Sequence, residues 1–156
     1  MELESYQRAV RLMETHPELM RFVGARSENL VKAAEEKLAL TFPPSYRRFL
    51  LEYGAGSFGA SEFYGVIDEK FENSSIPNGI WCTLQERRLG NLPLGLVIVS
   101  SDGAGGYFCI DCSAELAEAP IVTYHMGYPP HRQGKETVAT SFGKFCLDLV
   151  RRELEP

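Results

Sequence analysis

Apolar residues recur at helical spacing at the start of the chain, where residues 6, 10 and 13 fall on one face of a predicted helix. This helix is expected to end at His16-Pro17, because proline disfavours α geometry in the residue before it. The apolar residues between 19 and 23 are predicted to continue the helix after a kink. The chain is therefore predicted to open with helical structure.

Two more helices are predicted before residue 54, each with a typical beginning or end. Ser27 is a favourable N-cap, and Glu28 then lies at the positive end of the helix dipole. The apolar residues 30, 31, 34 and 38 share one face of this second helix. After a proline pair at 43 and 44, apolar residues recur at 46, 49, 50 and 53, and Gly54 is a typical residue for ending the third helix.

The second half of the chain consists of short apolar runs separated by glycine and proline, a pattern typical of strands. The four apolar residues 96–99 predict a strand buried on both faces. The elements predicted in this half are a strand at 62–67, a helix at 80–90, strands at 96–99, 107–110 and 120–125, a loop at 127–136 and a helix capped by Thr140 or Ser141. The pattern favours a single α+β domain.

Composition and charge narrow the possible functions. The chain has 156 residues, 44% of them hydrophobic, which is enough for a folded core. Lys and Arg number 16 and Asp and Glu 21, so the net charge is -5. This charge argues against a protein that binds the phosphate backbone of nucleic acid, and a basic macromolecular partner fits it better.

The expected location follows from the apolar runs and the beginning of the sequence. No run approaches the roughly 18 to 20 apolar residues that a membrane span needs. The first residues are acidic, whereas a signal peptide begins with basic residues. We therefore expect a cytoplasmic protein with four reduced cysteines and no membrane partner.

Two short motifs resemble phosphate and metal sites, but their positions favour other roles. The glycine-rich turn at 102–106 precedes a predicted strand, whereas a dinucleotide-binding turn opens a helix. A hairpin turn with positive φ angles explains these glycines better. Cys109 and Cys112 form a C-x-x-C motif, but an offset of three on a strand places the two thiols on opposite faces. No metal ion or cofactor is predicted.

Residues with catalytic potential also lack a supporting arrangement. Ser57 lies in a near match to the nucleophile elbow, but it follows a helix rather than a strand. The imidazoles of His125 and His131 suit acid–base cleavage of a phosphodiester. Six positions separate them, however, with Pro129-Pro130 between, and nothing makes the two rings converge. No catalytic residue is assigned, and a solvated loop explains both histidines better.

Aromatic side chains with a polar tip are the remaining candidates for function. Trp81 and the tyrosines at 64, 107, 124 and 128 belong to residue types that anchor protein interfaces. Core packing is the alternative explanation, and for Trp81 it is the favoured one. The sequence therefore points to recognition rather than to catalysis.

Three motifs resemble those of the SUKH superfamily, in the same order and with similar spacing. The matching residues are Phe42-Pro43, Tyr46, Phe49, Leu50 and Gly54 in the first motif, Leu96-Val97-Ile98-Val99 with Asp102 and Gly103 in the second, and Ser141-Phe142 with Phe145 in the third. The resemblance spans about residues 28–150. In the second motif Ala104 and Gly106 replace a glycine and the terminal acidic residue of the family's turn.

The resemblance implies an α+β fold with a single twisted, largely antiparallel sheet flanked by helices. Residues 28–156 are predicted to form this SUKH-like domain, and residues 1–27 an N-terminal helical extension. The resemblance also implies a non-enzymatic role. Bacterial members of the superfamily are mainly immunity proteins that bind and neutralise secreted toxins, often nucleases, whereas fungal relatives regulate cell-wall synthesis.

These observations together predict a binding protein that neutralises a cognate protein toxin, for example a basic nuclease. The predicted contact residues are Glu62, Tyr64, Asp102 and Tyr107, and nucleic acid is not expected as a partner. One alternative is a regulatory or small-ligand-binding scaffold, for which a broad polar groove is expected. A weaker alternative is a phosphodiesterase that uses His125 and His131. The oligomeric state is left open.

Overall fold

The computed structural model of the protein describes residues 2–114 and 117–155. The helices within these residues are α1 (Glu2–Glu14), α2 (Glu28–Leu38), α3 (Pro44–Glu52), α4 (Gly79–Leu89) and α5 (Phe142–Leu154). The strands are β1 (Met20–Phe22), β2 (Gly56–Phe58), β3 (Ser61–Phe63), β4 (Leu96–Ser101), β5 (Gly106–Asp111), β6 (Ile121–His125) and β7 (Thr137–Ala139). The predicted α+β class is confirmed.

Local hydrogen bonds explain where the helices begin. The hydroxyl of Ser27 accepts a hydrogen bond from the N–H of Leu30 (3.1 Å) at the start of α2. The hydroxyl of Ser141 accepts one from the N–H of Lys144 (3.0 Å) at the start of α5. Both residues satisfy backbone donors that have no partner within the helix, as N-cap residues do. The predicted caps are therefore confirmed.

The strands form two antiparallel sheets, in the orders β1-β2-β3 and β4-β5-β6-β7, where a single sheet was predicted. The two sheets meet where the N–H of Tyr64 donates to the carbonyl of Val99 (2.8 Å) and the hydroxyl of Ser100 donates to the carbonyl of Glu62 (2.9 Å). At this point the pairing of β4 with β5 shifts register between Ile98 and Ser100. Such an irregularity disrupts the β4–β5 ladder locally.

Residues 19–23 do not continue the first helix as predicted. A short 3-10 turn at Pro17–Leu19 leads into β1, which pairs with β2 so that Phe22 lies opposite Gly56. A Cβ atom on Gly56 would lie 2.1 Å from the carbonyl oxygen of Arg21, so only glycine allows this close approach. The pairing partner, which is distant in sequence, overrides the local helical pattern.

Two other boundaries differ from the predictions. The strand expected at 62–67 is limited to Ser61–Phe63. Strand β7 follows the predicted loop at 127–136 and was not expected from the sequence. Its three residues, Thr137, Val138 and Ala139, lie at the edge of the four-stranded sheet. They do not form the long apolar run by which a strand is recognised in the sequence.

The main core lies between the helices and the inner faces of the two sheets. Aromatic rings of α3 and α5 fill it, with Tyr46 and Phe49 centred 4.9 and 5.3 Å from Phe142. Tyr6 of α1 is also buried in this core, and its hydroxyl donates to Glu52 (2.6 Å). Helix α1 therefore packs with the rest of the molecule, while the division of the chain at residue 27 stays a prediction.

The opposite face of the four-stranded sheet, here the outer face, carries a second apolar cluster. Its buried members are Tyr64, Cys82, Leu92, Leu96, Ile98, Cys109, Val122 and Tyr124, with Trp81 and Tyr107 packed against them. The hydroxyl of Thr83 on α4 donates to the carbonyl of Gly79 (2.7 Å) and accepts from the N–H of Ile98 on β4 (3.0 Å). Thr83 thereby holds α4 against the edge of β4 and beside the outer face.

Candidate functional site

The four residues predicted to contact a partner lie around the hairpin formed by β4 and β5. Tyr107 pairs with Ser101 across this hairpin, and Tyr64 packs in the same outer-face cluster as Tyr107. Glu62 and Asp102 are exposed and Tyr107 is half-buried, whereas Tyr64 is only 2% exposed. A partner can contact Glu62, Asp102 and Tyr107 directly, whereas the buried Tyr64 packs beneath the surface. Their role in binding stays a prediction.

Asp102 organises the turn of the hairpin. Its Oδ1 atom accepts hydrogen bonds from the N–H groups of Ala104 (2.7 Å) and Gly106 (2.9 Å). These bonds lower the pKa of Asp102, and the nearby His125 contributes in the same direction. Gly103 and Gly105 have φ angles of 78° and 91°. The carboxylate therefore stays charged at neutral pH, and a hairpin turn accounts for the glycines, as the sequence predicted.

Burial keeps the thiol and phenol groups of the outer face protonated. It raises the pKa of Cys82 to about 11 and that of Tyr64 to about 12. Tyr107 packs against Cys82 in the same apolar cluster. The thiolate is the reactive form of cysteine, so Cys82 is a poor nucleophile at neutral pH. Cys82 therefore serves packing rather than chemistry.

The two cysteines of the C-x-x-C motif are free thiols on different elements. Cys109 is buried on β5, and Cys112 begins the short 3-10 turn that follows it. Both thiols are free, and burial raises the pKa of Cys112 to about 12. Within residues 2–114 and 117–155, no group of three or more His, Cys, Asp or Glu side chains is arranged to hold a metal ion.

A groove of about 540 Å³ lies between the loop that joins α4 to β4 and the loop that joins β6 to β7. The buried side chains of Leu96 and Tyr124 line it at the sheet. Leu89 and Tyr128 line it at the surface and are 80% and 54% exposed. The other apolar lining residues are Pro93, Pro129 and Pro130. Exposed apolar surface of this kind is common at binding sites.

Two charged residues of the groove neutralise each other. The Nζ atom of Lys135 donates to Oδ2 of Asp111 (2.6 Å), and the backbone and hydroxyl of Ser113 donate to Oδ1. Burial opposes the charged form of Asp111, but Lys135 and Ser113 outweigh it and lower the pKa of this carboxyl. Asp111 is therefore charged and already paired with a cation of the same chain.

Gln133 shapes the wall of the groove on the β6–β7 side. Its side-chain nitrogen donates to the carbonyls of His125 (2.9 Å) and Tyr128 (2.8 Å), and its oxygen accepts from the N–H of His125 (2.8 Å). All three bonds are to main-chain atoms. One side chain thus fixes the course of the loop.

The two histidines have different surroundings. The ring of His125 packs against that of Tyr128, with 5.2 Å between the centroids. His131 is exposed in the 3-10 turn Pro130–Arg132. A general acid–base pair needs two groups that reach one substrate together, and this arrangement gives the phosphodiesterase alternative no support.

Glu86 on α4 is a candidate that the sequence did not reveal, because Glu86-Arg87-Arg88 resembles a solvated helix face. Its Oε1 atom lies 2.4 Å from the position that a Cβ atom on Gly90 would occupy. Burial raises the pKa of Glu86. Burial, together with the charge of Glu86, also raises the pKa of Tyr124. The carboxylate therefore lies beside Gly90 at the end of α4; Gly90 lines the groove, whereas Glu86 itself does not.

Comparison with known protein families identifies the family to which the chain is similar. The model of the SUKH_5 family, described as SMI1-KNR4 cell-wall, matches residues 3–151. The match includes all three sequence motifs, the hairpin and both loops of the groove. In the part of the chain that the structure describes, no helix is long and apolar enough to cross a membrane.

Proposed function

Because the chain belongs to the SUKH_5 family, we propose that it is an immunity protein that neutralises a bacterial toxin by direct binding. The family match also confirms the superfamily that the sequence motifs predicted. Membership supports a non-enzymatic protein of the immunity or cell-wall-regulator type. The toxin partner and a cytoplasmic location are the specific parts of the proposal.

The observation that supports the proposal is that exposed apolar side chains line the groove and exposed acidic side chains lie at the hairpin. Exposed Leu89 and Tyr128 provide apolar contacts, and exposed Glu62 and Asp102 provide negative charge. Aromatic anchors surrounded by polar residues are typical of protein interfaces. The net charge of -5 favours encounter with a basic partner, such as a nuclease. Inhibition of this kind requires affinity and no turnover.

Co-expression tests the proposal. The chain is expressed in a bacterial host together with each toxin encoded beside its gene, and growth and co-purification are measured. We expect the chain to restore growth and to form a stoichiometric complex with one of these toxins. Failure to protect against every neighbouring toxin, with no complex formed, would contradict the proposal.

A matched pair of variants locates the interface. Glu62→Lys reverses an exposed charge on β3, and Glu36→Lys reverses an exposed charge on α2. We expect Glu62→Lys to weaken the complex by about 10-fold or more, because like charges meet across the interface. Glu36→Lys is expected to retain the affinity. Equal affinities for both variants would exclude β3 from the interface.

The groove favours a second candidate function, a regulatory or small-ligand-binding scaffold. Its volume of about 540 Å³ lies within the usual range for ligand sites. The predicted groove for such a protein was polar, but the observed lining is mainly apolar. A ligand screen by thermal shift tests this candidate, and a hit must also perturb the backbone amides of Gly127 and Gly134.

A further inference from the structure

We propose that a pocket between α1 and α5 binds a small organic phosphate through Arg8, Arg11 and Arg151. This inference goes beyond the proposed function, because none of these residues belongs to the hairpin or lines the groove. It follows from the position of the three arginines, from their lack of partners within the chain and from the apolar side chains of the pocket.

The pocket lies where the last turns of α1 and α5 come together, and its volume is about 400 Å³. On the side of α1 its lining residues are 8, 11, 12 and 15, and on the side of α5 they are 151, 154 and 155. Residues with these spacings of three and four share one face of a helix. Because α1 and α5 pack side by side, the two faces bring three guanidinium groups to one concave surface.

In the part of the chain that the structure describes, none of these three arginines forms an ion pair or a side-chain hydrogen bond. Other arginines are bound within the fold. Arg26 donates to the carbonyl of Ile67 (2.6 Å), and Arg47 pairs with Glu35 (2.5 Å). A guanidinium group has five N–H donors, so the pocket offers many donors to a ligand.

The lining of the pocket is basic, whereas the whole chain has a net charge of -5. Glu155 is the one acidic residue that lines it, and its carboxylate is not within ion-pair distance of the arginines. Beside the lining, Glu14 and Arg152 are of opposite sign. The carboxylate of Glu153 is held away from the pocket at the turn between β2 and β3, by the N–H of residue 60 (2.9 Å) and the hydroxyl of residue 61 (2.9 Å).

The ends of the two helices explain only part of this arrangement. A helix C-terminus carries roughly half a negative charge and attracts cations within its last turn. Arg11 and Arg151 lie in the last turns, but Arg8 lies more than one turn before the end of α1. The carbonyl of Leu12 already accepts from the N–H (3.2 Å) and the hydroxyl (2.7 Å) of Thr15. The helix ends therefore leave the arginine donors free for a ligand.

A phosphate ester suits this pocket better than a carboxylate does. Guanidinium groups bind both anions with paired hydrogen bonds, but a carboxylate offers two oxygens and a single charge. A phosphate ester offers three acceptor oxygens and a charge of about -1.5 to -2. Leu12 and Leu154, which are half-buried, provide an apolar surface for the organic part of the ligand. The volume of about 400 Å³ lies within the usual range for small-molecule sites.

The charge of the whole chain favours a small ligand over an extended polyanion. A nucleic acid or an anionic membrane reaches beyond the pocket and meets the acidic remainder of the surface, which repels it. A single organic phosphate contacts the pocket alone.

The experiment titrates the full chain with ADP, AMP and adenosine at low salt and without magnesium. The readout is the shift of the backbone amide NMR signals of Thr15 and Glu155, which line the pocket, with Gly127 and Gly134 of the groove as a reference. We expect ADP to shift the first pair with a dissociation constant of about 0.1–1 mM and to leave the reference unchanged. AMP is expected to bind at least about 3-fold more weakly and adenosine not to bind, since the charged oxygens carry the interaction. Added salt is expected to weaken binding, because the arginine charges are close to solvent.

A matched pair of variants assigns binding to the pocket. Arg11→Gln and Arg132→Gln each remove one positive charge from an exposed side chain, the second in the 3-10 turn of the groove loop. We expect Arg11→Gln to weaken ADP binding at least about 5-fold and Arg132→Gln to retain the affinity within about 2-fold. Thermal unfolding without ligand confirms that both variants are folded.

Several outcomes would overturn the phosphate site. They are equal shifts with adenosine and ADP, no binding of ADP at millimolar concentration, shifts confined to the groove, and an unchanged affinity for ADP in Arg11→Gln. Vesicles of equal parts phosphatidylcholine and phosphatidylglycerol, and a single-stranded oligonucleotide, provide the last arm. Binding of either one without binding of ADP would assign the arginines to an extended polyanion, and the proposal would be wrong. None of these measurements involves a toxin, so the phosphate site and the proposed function stand or fall separately.

Discussion

Replacement of Thr83 by valine tests how α4 is held beside the outer face. The Thr83 hydroxyl is buried between α4 and β4, where it donates to the carbonyl of Gly79 and accepts from the N–H of Ile98. Valine has nearly the same shape but no hydroxyl group. In Thr83→Val, the N–H of Ile98 therefore faces a methyl group and loses its acceptor.

The cost follows from this unsatisfied donor. A buried donor without a partner costs about 1–3 kcal/mol. The carbonyl of Gly79 keeps the ordinary helical hydrogen bond from the backbone N–H of residue 83, so its loss adds little. A destabilisation of about 2 kcal/mol lowers the unfolding temperature of a domain of this size by about 4–8 °C.

Urea unfolding and amide hydrogen exchange measure the effect. We expect Thr83→Val to lower the free energy of unfolding with an unchanged denaturant slope, and to accelerate exchange at the amide of Ile98. Thr83→Ser is the matched control, because it keeps the hydroxyl and loses one methyl group, worth about 1 kcal/mol. It is expected to leave exchange at Ile98 protected. The reasoning is refuted if Thr83→Val is as stable as wild type within about 0.5 kcal/mol, or if Ile98 exchanges equally slowly in both variants.

Two further substitutions test the loops of the site. Gln133→Ala removes three hydrogen bonds to the main chain. We expect amide hydrogen exchange across residues 126–134 to accelerate at least about 10-fold, with little change in the unfolding temperature. Unchanged exchange would contradict the role of Gln133 in holding the loop. The second substitution, Asp102→Ala, tests the carboxyl of the hairpin turn, whose pKa is lower in the folded protein than in the unfolded chain. The charged carboxyl therefore stabilises the fold at pH values above its unfolded pKa of about 3.9. This stabilisation is lost as the pH falls through the pKa of the folded protein. Urea unfolding should therefore show a larger difference between wild type and Asp102→Ala at pH 7 than at about pH 3, and a difference independent of pH would contradict the assignment.

Features with a local physical cause were predicted from the sequence. Ser27 was predicted as one N-cap and Thr140 or Ser141 as the other, because such side chains satisfy backbone donors within the next three residues; the structure selects Ser141. The apolar run at 96–99 predicted a strand buried on both faces, as observed for β4. The turn at 102–106 predicted the hairpin because its glycines fit positive φ angles.

Features that depend on distant residues were missed. Strand β1 exists because β2, more than thirty positions later, offers an edge for pairing, and no local signal distinguishes it from a helical continuation. The groove lies between two loops that are separated along the chain by three strands, and Asp111 and Lys135 are in contact across 24 positions. Arg87 and Arg88, which follow Glu86 in α4, bind backbone carbonyls and Glu72 rather than Glu86, and only the folded chain reveals these partners.

The manner in which Gln133 holds its loop has a consequence for how binding specificity can evolve. Its bonds end on the backbone of His125 and Tyr128, and backbone atoms are common to all amino acids. Side chains between these anchors can therefore be exchanged while the loop keeps its path. Single substitutions of these exposed loop side chains can therefore change which partner the protein binds, each with little loss of fold stability.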